Sequence, residues 1–264
     1  MASTGLRASA LAALLAAGAL APAAASYAPL GFPGAAWGGA SRDLSGLEGY
    51  GTQGWLKQGV TWVKLPWDMP VRTFASYQWR FRTENRRFYN EHGPGVSLEL
   101  SKAFVDLGLE LAWQRYPELG RRNDQYELFA SWYRRVDLAR GAAIRPLGIP
   151  IRGLPLSSWG RLAHDMNGIE GDGTQGWVSQ GVDWARLPGG VSVTTFAAYR
   201  WRFRSENRPF YNMQGPAAGL EFGRGPVQAG FEHAWRRYPE LGRFERAFQF
   251  YITWYSAWDL GHRR

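Results

Sequence analysis

The chain has no cysteine in its 264 residues, which excludes disulfides and thiolate metal sites. Histidine is scarce as well. His92, His164, His233 and His262 are all there are, and they lack the close spacing on one element that metal ligation uses. Beyond the N-terminal region, no segment stays apolar over the ~20 residues that a membrane-spanning helix needs. No metal, no cofactor and no catalytic residue is therefore expected.

Glycine and aromatic residues are plentiful: 33 Gly, 14 Trp, 12 Tyr and 14 Phe, spread along the chain. Such a composition favours strands punctuated by turns. The first residues read as an export signal, with one charge up to Arg7, an apolar run from Ala8 to Ala21, and small residues at Ala23-Ala24-Ala25. Residues 1–25 are expected to be removed, leaving 26–36 as a Pro/Gly-rich lead-in. The formal net charge of +9 would suit nucleic acid, but export argues against that. Lipopolysaccharide or an anionic polysaccharide is the more natural partner.

From Trp37 a unit begins that recurs at Trp159: residues 37–138 align with 159–260 at a constant offset of 122, without a gap. Residues 139–158 between the units read as a linker or a weakly marked strand, and 261–264 as a tail. Each unit of about 102 residues contains five segments of alternating polarity. The clearest pair is Phe74 to Asn90 and Phe196 to Asn212. In an extended chain Tyr77, Trp79 and Phe81 share one face, with Gln78, Arg80 and Arg82 on the other. Tyr199, Trp201 and Phe203 repeat the pattern against Arg200, Arg202 and Arg204.

Most of these segments run about 10 residues, the length that crosses a bilayer as a tilted strand. Connections alternate between short turns and longer polar loops. With the export signal and the lack of cysteine, the sequence resembles the bacterial outer-membrane β-barrel proteins as a class. That resemblance implies an all-β fold, an antiparallel transmembrane β-barrel of about 10–12 strands built from two tandem repeats. It also implies outer-membrane lipid as surroundings. Five strands per unit is an odd number, so either 139–158 holds a sixth strand or a ten-stranded barrel has inverted halves. Two separate five-stranded sheets, forming a soluble periplasmic or secreted glycan-binding module, is the competing architecture.

Two groups of residues are candidate sites. Arg80, Arg82, Glu99 and Glu110, with Arg202, Arg204, Glu221 and Glu232, lie on the polar faces of their strands. In a barrel they would meet in the lumen as ion pairs, with Arg80 or Arg82 beside Glu99 and Glu110. Such pairing keeps carboxylates ionised and unsuited to general-acid work. The second group is in the repeated loops, Arg86, Phe88, Tyr89 and Asn90, and Arg208, Phe210, Tyr211 and Asn212. Planar donors beside aromatic faces suit glycan contact, and a loop folded on the barrel rim with its rings in an interfacial girdle is the alternative. The expected roles are envelope structure, surface contact, or passage of small or thread-like anionic solutes.

Overall fold

A computed structural model describes residues 29–46, 48–84, 89–139, 151–167, 171–206 and 211–261. The expected export signal lies outside these residues. Twelve strands follow one another: β1 (Pro33–Asp43), β2 (Tyr50–Leu65), β3 (Met69–Arg82), β4 (Glu91–Lys102), β5 (Val105–Tyr116), β6 (Arg121–Asp137), β7 (Pro155–Asp165), β8 (Asp172–Leu187), β9 (Val191–Arg204), β10 (Met213–Arg224), β11 (Val227–Tyr238) and β12 (Arg243–Asp259). Each pairs antiparallel with its neighbours in sequence, and β1 pairs with β12 to close the ring. A closed ring leaves no unpaired strand edge.

One continuous barrel replaces the alternative of two sheets, and twelve strands settle the parity question. Each half holds six, so both halves enter the ring in the same orientation. The strand missing from the five-strand reading stands first in each half, as β1 and β7. β1 takes in the end of the expected lead-in at 33–36, and β7 begins at Pro155, inside the expected linker. The outer face of β1 carries only glycine, alanine and Arg42, and that of β7 interrupts Leu156 and Leu162 with Ser158 and Gly160. Gly34 and Gly38 of β1 lie beneath the indoles of Trp258 and Trp254 from β12, and Gly160 of β7 beneath Trp132 from β6. The neighbouring strand supplies the apolar cover, so β1 and β7 themselves carry little alternation.

The two ends of the barrel differ. At one end four connections are short, 3-10 turns at Pro66–Asp68 and Pro188–Gly190 and two-residue turns at 103–104 and 225–226, and β6 ends and β7 begins there as well, with residues 138–154 between them. The other end carries the longer loops at 44–49, 83–90, 166–171 and 205–212, with Pro117–Leu119 and Pro239–Leu241. The outer wall is apolar. Every strand except β1 exposes at least one large hydrophobic side chain on it, among them Leu56, Tyr77, Leu107, Leu128, Leu162, Val178, Tyr199 and Phe231. Trp79, Trp113, Trp201 and Trp235 share that outward parity with Tyr77, Leu107, Tyr199 and Phe231.

Candidate functional site

Strand alternation that turns leucine and aromatic side chains outward turns the polar set inward. How far the inward set is buried depends on height in the barrel. Along β6, Asn123 and Gln125 near the loop end are buried, whereas Tyr133 and Arg135 near the short-turn end are exposed. Asp43, Arg82, Gln114, Tyr116, Arg204, Arg236 and Tyr238, all toward the loop end, are buried as well. Among the described residues the interior is filled from the loop end down to Phe74, Glu99 and Glu232, and it meets water at Tyr133 and Arg135 toward the other end.

The filling is built from arginine and tyrosine. Tyr89 and Tyr211 sit at the ends of the 83–90 and 205–212 loops, and their rings fold inward against guanidinium groups. Arg82 lies 3.9 Å from the Tyr89 ring centre and Arg204 lies 3.8 Å from that of Tyr211. Arg80 and Arg202 take a second place over the same rings, at 4.6 and 4.5 Å. Each also reaches the ring of the other half, Arg80 to Tyr211 at 5.6 Å and Arg202 to Tyr89 at 5.7 Å. Arg80 and Arg202 stand on β3 and β9, six places apart in a ring of twelve. Contact between opposite walls crosses the barrel axis, so this layer constricts the lumen.

Hydrogen bonds fix the layer. Arg80 Nε donates to the Tyr89 carbonyl at 3.1 Å, and Arg202 Nε to the Tyr211 carbonyl at 2.9 Å. Arg80 Nη2 also meets Glu91 at 3.0 Å, while Met213, the first residue of β10, holds the matching position in the other half. Glu48, on the loop after β1, bridges two strands. Its oxygens lie 2.8 Å from Arg82 Nη1 and 2.7 Å from Arg236 Nη1. Burial alone would raise the Glu48 carboxyl pKa, but Arg236 and Arg82 outweigh it and hold it below the ordinary carboxylate range.

Glu99 and Glu110 are not partnered as expected. Glu99 pairs with Lys57 of β2 at 3.2 Å and accepts from Ser97 Oγ at 3.0 Å. Glu110 shares Arg161 of β7 with Glu127, the same Nη2 lying 2.5 and 2.6 Å from the two carboxylates. The reason is register. Ser97 and Glu110 stand opposite each other across β4 and β5, whereas Arg80 and Arg82 sit nearer the loop end, beside Glu91 and Glu48. In the second half Glu221 accepts from Tyr251 Oη at 3.0 Å. Glu232, with no solvent exposure, meets Arg200 and accepts from Gln249 Nε2 at 3.0 Å.

The loop residues fare differently from the glycan-contact expectation. Arg86, Phe88, Arg208 and Phe210 lie outside the described residues. Asn90 and Asn212 are buried and bond to the backbone at the ends of β3 and β9, and the Tyr89 and Tyr211 rings are occupied by arginines. Cation–π attraction inside a water-poor space is stronger than at an exposed rim, which draws these rings in rather than out to a girdle. Glu48, Lys57, Arg161 and Arg236 were missed in the sequence. Arg161 belongs to β7, where the alternation that would place it is weak, and a pair such as Glu48 with Arg236 joins residues 188 apart in sequence.

No protein-family model and no curated protein matches the chain. Among solved structures it is similar to the β-domain of the Bordetella autotransporter BrkA, at 15% identity and a TM-score of 0.39, over 85% of this chain and 98% of that one. It is similar also to the transport unit of the autotransporter AIDA-I from Escherichia coli, at 12% and 0.34, over 94% and 98%. A mutant porin of Rh. blastica follows at 9% and 0.30, over 85% and 99%. The architecture itself rests on the chain's own strand pairing.

Proposed function

We propose that the chain is a barrel of the bacterial outer membrane that admits small or thread-like anionic solutes through a lumen constricted at its loop end. The exposed apolar wall supports the location, because a water-soluble protein rarely leaves so much contiguous hydrophobic surface uncovered. Export of the chain, read from its first 25 residues, is part of the same reading. One observation carries the solute class: Arg80 and Arg202 reach the tyrosine rings of the opposite half across the axis. Arginine at a constriction attracts anions and repels cations at a point where field lines are focused.

Purified protein in a planar bilayer tests this. A salt gradient should give a reversal potential of anion-selective sign, and Arg80→Ala with Arg202→Ala should move it toward the cation side. Silence of both proteins at all voltages would overturn passage and leave a role in envelope structure.

A further inference from the structure

The open half of the lumen contains aromatic residues that the constriction does not use. Trp37 on β1 stands directly opposite Trp55 on β2 and Tyr255 on β12. Trp159 on β7 stands directly opposite Trp177 on β8 and Tyr133 on β6. Each trio is a row of three rings across adjacent strands, and β1 and β7 are six places apart, so the rows occupy opposite walls.

Their inward direction follows from neighbours of the same parity. Trp55 lies beneath the ammonium of Lys57, which pairs with buried Glu99. Trp159 is two residues before Arg161, whose guanidinium is bound by Glu110 and Glu127. Tyr255 follows Gln249 and Tyr251 at even spacing, and both of those meet inward carboxylates. Tyr133 and Tyr255 are nonetheless 54% and 52% exposed and the four tryptophans are half-buried, so each row keeps a water-facing part.

Aromatic faces held in a wet space are unfavourable unless something covers them. Among the described residues packing covers them only in part, and lipid reaches only the outer wall. Sugar rings present flat C–H faces that stack on indole and phenol, with hydroxyls left for polar neighbours. Such neighbours stand on the same wall: Lys57 beside Trp55, and Arg135 two residues beyond Tyr133. We infer that the two rows form a carbohydrate-binding site in the open half of the lumen, with pyranose rings stacking on Trp37 and Trp159. The inference rests on the reading of the lumen as a solute path and narrows the solute to one containing sugar rings.

Calorimetric titration of the full barrel in detergent micelles tests it without any need for conduction. The ligands are neutral hexa- and heptasaccharides of glucose, galactose and N-acetylglucosamine, with polyphosphate as an anion lacking rings. Folding of each variant is checked by the heat-dependent shift of its gel band. At least one oligosaccharide should bind the wild type, and Trp37→Ala with Trp159→Ala should weaken it roughly tenfold or more. Trp37→Phe with Trp159→Phe should keep most of the affinity. Binding of polyphosphate alone, binding of nothing, or equal sugar affinity in the alanine variant would each overturn the site. A barrel that binds sugar but carries no current would retain the site and lose the passage reading, and a conducting barrel that binds no sugar would do the reverse.

Discussion

Asn90 and Arg82 are locked to each other through the backbone: the Arg82 amide donates to Asn90 Oδ1 at 2.8 Å and Asn90 Nδ2 donates to the Arg82 carbonyl at 3.1 Å. Arg204 and Asn212 repeat both bonds at 2.8 and 3.0 Å. Each asparagine completes the strand ladder with its side chain where the chain turns back. It thereby fixes the adjacent tyrosine under its arginines.

Replacing Asn90 and Asn212 by alanine leaves buried backbone groups unpaired, at a cost of roughly 1–3 kcal/mol per site. The expected outcome has two parts. The temperature at which the folded gel band disappears should fall, and the bilayer current should rise as Tyr89 and Tyr211 leave the axis. A variant of lower stability with unchanged current would show that these asparagines hold the loops without holding the constriction.

Glu48 provides a test by pH. Its pKa is held below the ordinary carboxylate value of 4.5, because Arg236 and Arg82 outweigh burial. A depressed folded-state pKa means that the charge stabilises the barrel at every pH above the unfolded value, and that this contribution is lost as pH falls through the lowered one. The stability difference between wild type and Glu48→Gln should be flat from pH 8 to about 5 and shrink below about 4.5. Denaturant titrations across that range check it, and a difference already shrinking between pH 7 and 5 would contradict the assignment.

The outward and inward faces of β3, β5, β9 and β12 could be read from residue type alone, because bulky apolar side chains alternate with polar ones over many residues. That signal exists only where a strand covers itself. Gly34 and Gly38 are covered by Trp258 and Trp254 of another strand, so the seam strand β1 was legible only as glycine and alanine. The side-chain partners were less legible still. Alternation says that Glu110 faces inward, but whether it meets Arg80 or Arg161 depends on stagger between strands far apart in sequence. Local pattern carries no information about that stagger.

Arg161 is the sole cation shown between Glu110 and Glu127 among the described residues. Its replacement by methionine would leave two carboxylates facing each other without the guanidinium that bridges them, and breaking a buried ion pair typically costs roughly 3–5 kcal/mol. Arg161→Met is expected to fold poorly or not at all in micelles. Arg161→Met combined with Glu110→Gln and Glu127→Gln should recover most of the folded band, because removing all three charges removes the desolvation cost as well. If the triple variant folds no better than the single one, the shape of Arg161, including its 4.1 Å contact with the Phe129 ring, matters more than its charge.

The turn between β2 and β3 places two residues with side chains where its counterpart uses glycine. Trp67 and Asp68 have φ of 63° and 62°, and Gly189 and Gly190 in the matching turn have 81° and 80°. A side chain in the left-handed region costs about 1 kcal/mol relative to glycine, and Trp67 recovers little of that by burial, since it is 77% exposed. Its contact with Lys102, 5.8 Å from the ring centre, is a weak cation–π interaction of the exposed kind. Trp67→Gly is therefore expected to stabilise the isolated barrel in detergent by about 0.5–1 kcal/mol, read as a rise in the denaturant midpoint without a change in slope. A fall in the midpoint would mean that the indole makes a stabilising contact with the micelle surface larger than its backbone cost. Repeating the measurement with Gly189→Trp sharpens the comparison: the same strain is then introduced in the other half, and the midpoint should fall by a similar amount.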